Sequence, residues 1–175
     1  YLRNYIDVLI QIPDYKLASE QLFNLIELEP LNEVNFFQLA DTYIYSKSYN
    51  KAIGVYNKLE KLKGIDKITS MQKQKLYMQM KNVRLATKEI VLLSEKFPND
   101  IEILEILAES YLLNNDREKA FSIFKKISII SPENGQVHLT LANFYRDQND
   151  NFNSYKELKL AFKSSNVSLE TKISI

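Results

Sequence analysis

Few residues in this chain have side chains suited to chemistry. A single imidazole, His138, is present, and cysteine is absent. A general base needs a positioned partner. The sequence around His138 suggests none, so His138 reads as a buried or half-buried packing residue. One histidine without cysteine cannot build a transition-metal centre. Gly54, Gly64 and Gly135 stand singly, which leaves no glycine-rich loop to cradle a phosphate. No Ser/His/Asp arrangement can be drawn with any geometry behind it. Carboxylate pairs lie on predicted helix faces, as they do on any charged helix. The expectation is a noncatalytic chain with no cofactor and no bound metal. Any catalysis would have to come from outside these residues.

What the sequence repeats is a spacing. Ala18, Ala52, Ala86 and Ala120 stand 34 residues apart, and Ser154 continues the series. Four residues after each comes a large side chain: Leu22, Tyr56, Ile90, Phe124 and Leu158. Three further on lie Leu25, Leu59, Leu93, Ile127 and Ala161. Nine residues before the small column run Leu9, Tyr43, Tyr77, Tyr111 and Tyr145. A fixed period of this length marks stacked repeats. The Tyr column falls on an apolar stripe at helical spacing, which predicts core packing.

Capping residues keep the same period. Asp14, Ser48, Asn82, Asp116 and Asp150 form one series, and Asn32, Asp66, Asp100, Asn134 and Ser168 form another. Short side-chain oxygens accept the free N–H groups at helix starts. Pro30, Pro98 and Pro132 stand where helices must end. Each repeat therefore reads as a first helix (A), a short turn, a second helix (B) and a linker. The predicted A helices are 2–12, 33–46, 67–80, 101–114 and 135–148. The B helices are 15–28, 49–62, 83–96, 117–130 and 151–164. A last partial helix starts near Ser168. Asn166-Val167-Ser168 matches a glycosylation sequon but reads better as that helix's cap.

These columns resemble the tetratricopeptide repeat (TPR), whose signature is W-x2-L-G-x2-Y…A-x3-F…P over 34 residues. The best copy, Ile101 to Pro132, carries Leu104, Leu107, Ala108, Tyr111, Ala120, Phe124, Ile127 and Pro132 in the signature columns. The tryptophan column holds Leu2, Phe36, Ser70, Leu104 and His138. The resemblance implies an all-α TPR solenoid, a right-handed superhelix of antiparallel helix pairs. Its repeats would be 1–32, 33–66, 67–100, 101–134 and 135–168, with 169–175 starting a further or capping helix. The Tyr1 start, in mid-repeat, points to a piece of a longer protein. The third repeat departs furthest. It puts Ser70, Lys73 and Gln74 where the fourth has Leu104, Leu107 and Ala108, and Gly64 where others have proline. Looser stacking is expected there.

In TPR proteins the A helices line a concave groove that holds a peptide or protein segment. By resemblance, the groove positions here are Phe37, Asp41, Ile44 and Tyr45 in the second repeat and Met71, Lys75 and Met78 in the third. Glu105, Glu109 and Leu112 follow in the fourth, with Glu102 on the same face, and Asn143 and Arg146 in the fifth. Arg3 and Leu139 fall in the same columns. Phe37, Ile44, Tyr45, Met71 and Met78 would make an apolar floor, with the glutamates an acidic row. Chaperone-binding TPR domains grip a carboxylate with Lys and Asn on one A helix. Those columns hold Arg3/Asp7, Phe37/Asp41 and Met71/Lys75, so no such clamp is expected. The implied partner is apolar with basic residues.

Helical repeats also bind RNA, and such a surface is basic because phosphates supply much of the affinity. Here 23 Lys and Arg meet 22 Asp and Glu, a net charge of +1. A protein-binding scaffold is therefore the expected role. The alternatives are an RNA-binding helical repeat and a regulatory segment of a larger enzyme. No apolar run is long enough to cross a membrane. Cysteine-free composition fits either redox state, so both the periplasmic side of a bacterial envelope and the cytoplasm stay open. The Lys/Asn/Ile-rich usage and the ending AFKSSNVSLETKISI are similar to TPR proteins of Bacteroidota.

Overall fold

The computed structural model describes residues 1–173; Ser174 and Ile175, at the end of the expected last helix, lie outside the described residues. Among the described residues there are eleven α-helices and no strand. The A helices are α1 (Leu2–Gln11), α3 (Glu33–Tyr45), α5 (Lys67–Gln79), α7 (Ile101–Leu113) and α9 (Gly135–Asp147). The B helices are α2 (Tyr15–Leu28), α4 (Tyr49–Lys63), α6 (Val83–Lys96), α8 (Arg117–Ile130) and α10 (Asn151–Lys163). The short α11 (Leu169–Ile173) follows. Every end of α1 to α10 lies within one residue of the sequence expectation. The helices group into two compact units, 1–89 and 90–175, with the boundary inside α6.

The linker caps form in all five places. Asn32, Asp66, Asp100, Asn134 and Ser168 each accept from a backbone N–H in the first turn that follows. In the other series Asp14, Asn82 and Asp150 do the same. Ser48 and Asp116 make no side-chain cap bond. These last residues still matter through their backbone. The N–H groups of Ser48, Asn82, Asp116 and Asp150 donate to the carbonyls of Tyr43, Tyr77, Tyr111 and Tyr145, five residues back. The N–H groups of Lys47, Lys81, Asn115 and Asn149 donate to the carbonyls three residues back. That pair of bonds is the Schellman ending, which requires a left-handed residue. Lys47, Lys81, Asn115 and Asn149 supply it, with φ of 57°, 58°, 60° and 59°. One residue thus closes each A helix and opens the next B helix.

In the first unit, Ile6, Leu22, Phe36, Leu39, Tyr56, Leu59 and Leu76 form the centre of one apolar core. In the second, Leu104, Phe121, Phe124, Ile127, Val137 and Leu141 form another. The four alanines of the small column, Ala18, Ala52, Ala86 and Ala120, are all 0% exposed. The Tyr column is only half-buried, with Lys51 Nζ 5.4 Å from the Tyr43 ring centre and Lys119 Nζ 5.4 Å from that of Tyr111. Gly135 opens α9 under close packing. A Cβ there would sit 2.4 Å from the Val167 side chain, and its N–H donates to Asn166 Oδ1 at 3.0 Å.

Two of the third repeat's changed columns are buried and polar. Ser70 is 0% and Lys73 3% exposed. Lys73 Nζ lies 2.5 Å from Glu60 Oε2 on α4 and 2.7 Å from Glu89 Oε1 on α6. It also donates to Asn57 Oδ1 at 3.2 Å. Thr69 and Ser70 hydroxyls donate to Glu60 Oε1 at 3.1 and 3.2 Å. A buried lysine is held where other repeats bury leucine, because two carboxylates and an amide satisfy its three donors.

Two stability outcomes follow. Lys73→Ala strands two buried carboxylates, and urea unfolding is expected to show a loss of about 3–5 kcal/mol. Replacing Lys73, Glu60 and Glu89 together by Met, Gln and Gln should restore much of it. Lys81→Gly removes a left-handed lysine that costs about 1–2 kcal/mol. After the added freedom of the unfolded chain, the expected gain is about 0.5–1 kcal/mol. Asn115→Gly should gain less, since asparagine tolerates this conformation.

Candidate binding face

In the first unit, α3 and α5 carry the candidates. Phe37 is half-buried and packs on the core, its ring centre 5.9 Å from that of Tyr56. Ile44 also turns partly onto that core. Tyr45 is 60% exposed and stacks on Tyr15 of α2 at 5.9 Å. Met71 and Met78 are half-buried, and Asp41 and Lys75 are exposed. The expected apolar floor is therefore mixed: Phe37 and Ile44 lean inward, and Tyr45 presents the most open ring. Asp41 has its carboxyl pushed up because neighbouring protein atoms displace water from it. Burial, with the Asp41 charge adding to it, raises the Tyr56 hydroxyl to about 12. Arg3 is tied down by Glu29 at 2.6 Å and Asn35 at 3.0 Å, which gives it a structural task.

In the second unit the structure gathers Glu105, Glu109 and Leu112 of α7 around one hollow of about 400 Å³. Phe124 of α8 and Val137 of α9 supply its apolar lining, and Gln136 and Thr140 complete it. Glu105 is half-buried, Glu109 exposed, and Leu112 37% exposed. Asn143 and Arg146 share a second hollow of about 320 Å³ with Gln136 and Thr140. Arg146 Nη2 donates to Asn143 Oδ1 at 2.7 Å. Leu139, expected on the open face, is 8% exposed and packs with Ala161 and Val167.

Gln136 and Thr140 line both hollows and were not among the sequence candidates. Gln136 stands 34 residues after Glu102, so the period alone would have found it. Thr140 follows Ile106, a column with nothing distinctive in its residue type.

His138 does have a partner that the sequence did not suggest. Its Nδ1 lies 2.5 Å from Glu157 Oε2 on α10, and its Nε2 lies 2.9 Å from the Pro132 carbonyl oxygen. A carbonyl only accepts, so Nε2 carries a hydrogen and donates it. The Glu157 carboxyl occupies Nδ1. The residue is 4% exposed and both ring nitrogens are engaged, which leaves neither for a substrate. Among the described residues, no group of three His, Cys, Asp or Glu side chains could hold a metal ion. No described helix is long and apolar enough to cross a membrane.

No family model and no curated protein matches the chain. Solved structures do match it in fold. A crystal structure of MamA superposes with a TM-score of 0.62 at 16% identity, covering 97% of this chain and 97% of that one. A MamA structure from Desulfovibrio magneticus RS-1 gives 0.58 at 18% identity, covering 99% and 94%. YrrB, described as a TPR protein with an unusual peptide-binding site, gives 0.60 at 13% identity, covering 98% and 88%. With the 34-residue columns and the helix pairs, these matches establish the architecture: the chain has the all-α tetratricopeptide-repeat fold.

Proposed function

We propose that this chain is a noncatalytic protein-interaction scaffold that holds a peptide or protein segment on its A-helix faces. The observation that carries the reading is the hollow in the second unit. Glu105 and Glu109 line it together with the apolar Leu112, Phe124 and Val137. An apolar lining edged with carboxylates suits an apolar segment bearing lysine or arginine. The first unit's own A-helix face presents Phe37, Tyr45, Met71 and Met78, aromatic and thioether groups suited to an apolar segment. A few aromatic and apolar anchors usually dominate interface energy, while rim charges set on-rate and salt dependence. A peptide-binding protein among the fold neighbours supports the ligand class.

The test uses fluorescein-labelled twelve-residue peptides of alternating leucine and lysine, with leucine–glutamate and serine–lysine versions as controls. The leucine–lysine peptide should bind and the two controls should bind at least about tenfold more weakly. Glu105→Lys with Glu109→Lys should weaken it about tenfold, mainly through the on-rate at low salt. Phe37→Ala with Tyr45→Ala should also weaken it, with the circular dichroism spectrum unchanged. Equal binding by wild type and both double variants would overturn the assignment of the face.

The reading also makes protein, rather than nucleic acid, the partner, since a net charge of +1 gives little attraction for phosphates. Fluorescence anisotropy with single-stranded RNA should show at most weak binding that disappears at moderate salt. Tight, sequence-dependent binding would put the RNA-binding alternative first.

A further inference from the structure

Another pocket lies in the first unit, on the side where B helices α2 and α4 flank α3. Its volume is about 260 Å³. Ile26, Phe36, Leu39, Val55, Phe23 and Tyr43 line it. Phe23 is 45% exposed, so an aromatic ring stands open to solvent at its edge. Pockets for drug-sized molecules run from about 300 to 1,000 Å³. This one is smaller and suits one or two apolar side chains.

Gly54 of α4 also lines the pocket. Glycine inside a helix weakens it relative to alanine, so such a residue ordinarily answers a close approach or a special backbone angle. Neither applies. Its backbone is helical, and a Cβ built on it meets nothing within 4 Å. The equivalent residues 34 apart are Glu20, Lys88, Ser122 and Lys156. Only this repeat leaves the position bare, and it does so over an apolar floor. The fold itself does not use the space.

The charged groups of the lining have one sign. Lys51 and Lys58 line the pocket, and no carboxylate does. Lys51 Nζ lies over the Tyr43 ring and Lys58 Nζ lies 5.1 Å from the Phe23 ring centre. Arg3, Lys63 and Lys73 of this unit do engage carboxylates. Two cations resting on aromatic faces are available for carboxylates on either side of an inserted side chain.

We infer that this pocket is a second docking site, which takes a leucine-like side chain of an acidic peptide segment in a partner protein. It stands apart from the A-helix face and selects the opposite charge. It does not depend on the reading proposed above. Residues from both α2 and α4 are needed, so the site exists only where two repeats are stacked.

The probe is a six-residue peptide, Asp-Glu-Leu-Leu-Glu-Asp with blocked ends, titrated into the isotope-labelled chain. Saturable shifts are expected at the amides of Gly54, Val55 and Lys58. Versions with alanine for leucine, or lysine for the acids, should bind at least about tenfold more weakly. Gly54→Leu fills the space from within. It should abolish binding while keeping or raising Tm by about 2–4 °C, since it removes a helix-interior glycine. Loss of binding therefore cannot be assigned to misfolding. Lys51→Glu with Lys58→Glu should weaken binding at least about tenfold, more at low salt. Tyr45→Ala, at the open ring of the A-helix face, should leave it unchanged, which separates the two sites. Unchanged affinity in Gly54→Leu, or shifts centred on α3 and α5 residues of the A-helix face, would overturn the proposal. So would shifts with decanoate but none with the peptide, which would make the occupant a lipid-like anion.

Discussion

The structure depends on how closely two helices approach at one small side chain. Ala18, Ala52, Ala86 and Ala120 have no exposed surface, and a larger side chain there would have to displace its neighbours. Close-packed interiors do not absorb an added methylene without strain. Once the small residue fixes the approach, the large residues four and seven positions later have a defined gap to fill. In the last repeat Ser154 takes the small position and also donates its hydroxyl to the Ala142 carbonyl at 2.9 Å. The constraint is on size, and a small polar residue meets it when its hydroxyl finds an acceptor.

The third repeat keeps the size rule at Ala86 but changes the interior chemistry. Lys73 is held by Glu60 and Glu89, one from each flanking B helix. Leucine in that column would tolerate small slips of one helix along another. An ammonium between two carboxylates does not, because any shift leaves charge buried without a partner. Such a network contributes less to stability than an apolar core of the same volume. What it adds is a charged tie from α5 to Glu60 on α4 and to Glu89 on α6.

The periodic features were legible because each has a local cause. Helix ends came from caps and prolines, and the core columns from residue size at helical spacing. The partners of charged groups were not legible. Lys73 read as a defect because Glu60 and Glu89 are remote in sequence, on the neighbouring helices. Glu157 went unnoticed beside His138 for the same reason. On the binding face, the period gave the A-helix positions, but it could not say how far each side chain leans. Phe37 and Ile44 turn toward the core, Leu139 is covered by Ala161 and Val167, and Tyr45 stays open. Those differences arise from neighbours in space, which a column of residue types does not contain.

The turn between each A and B helix has no spare position. Residues 46–48, 80–82, 114–116 and 148–150 are each three long, and the third residue serves both helices. One inserted residue would separate the bond that ends the first helix from the residue that begins the second. The linkers on the other side obey no such rule: they run from three residues, 64–66, to five, 164–168. Length can therefore vary on only one side of each repeat. A protein engineer adding a tag, a protease site or a loop to this chain would find room at the linkers and none at the turns.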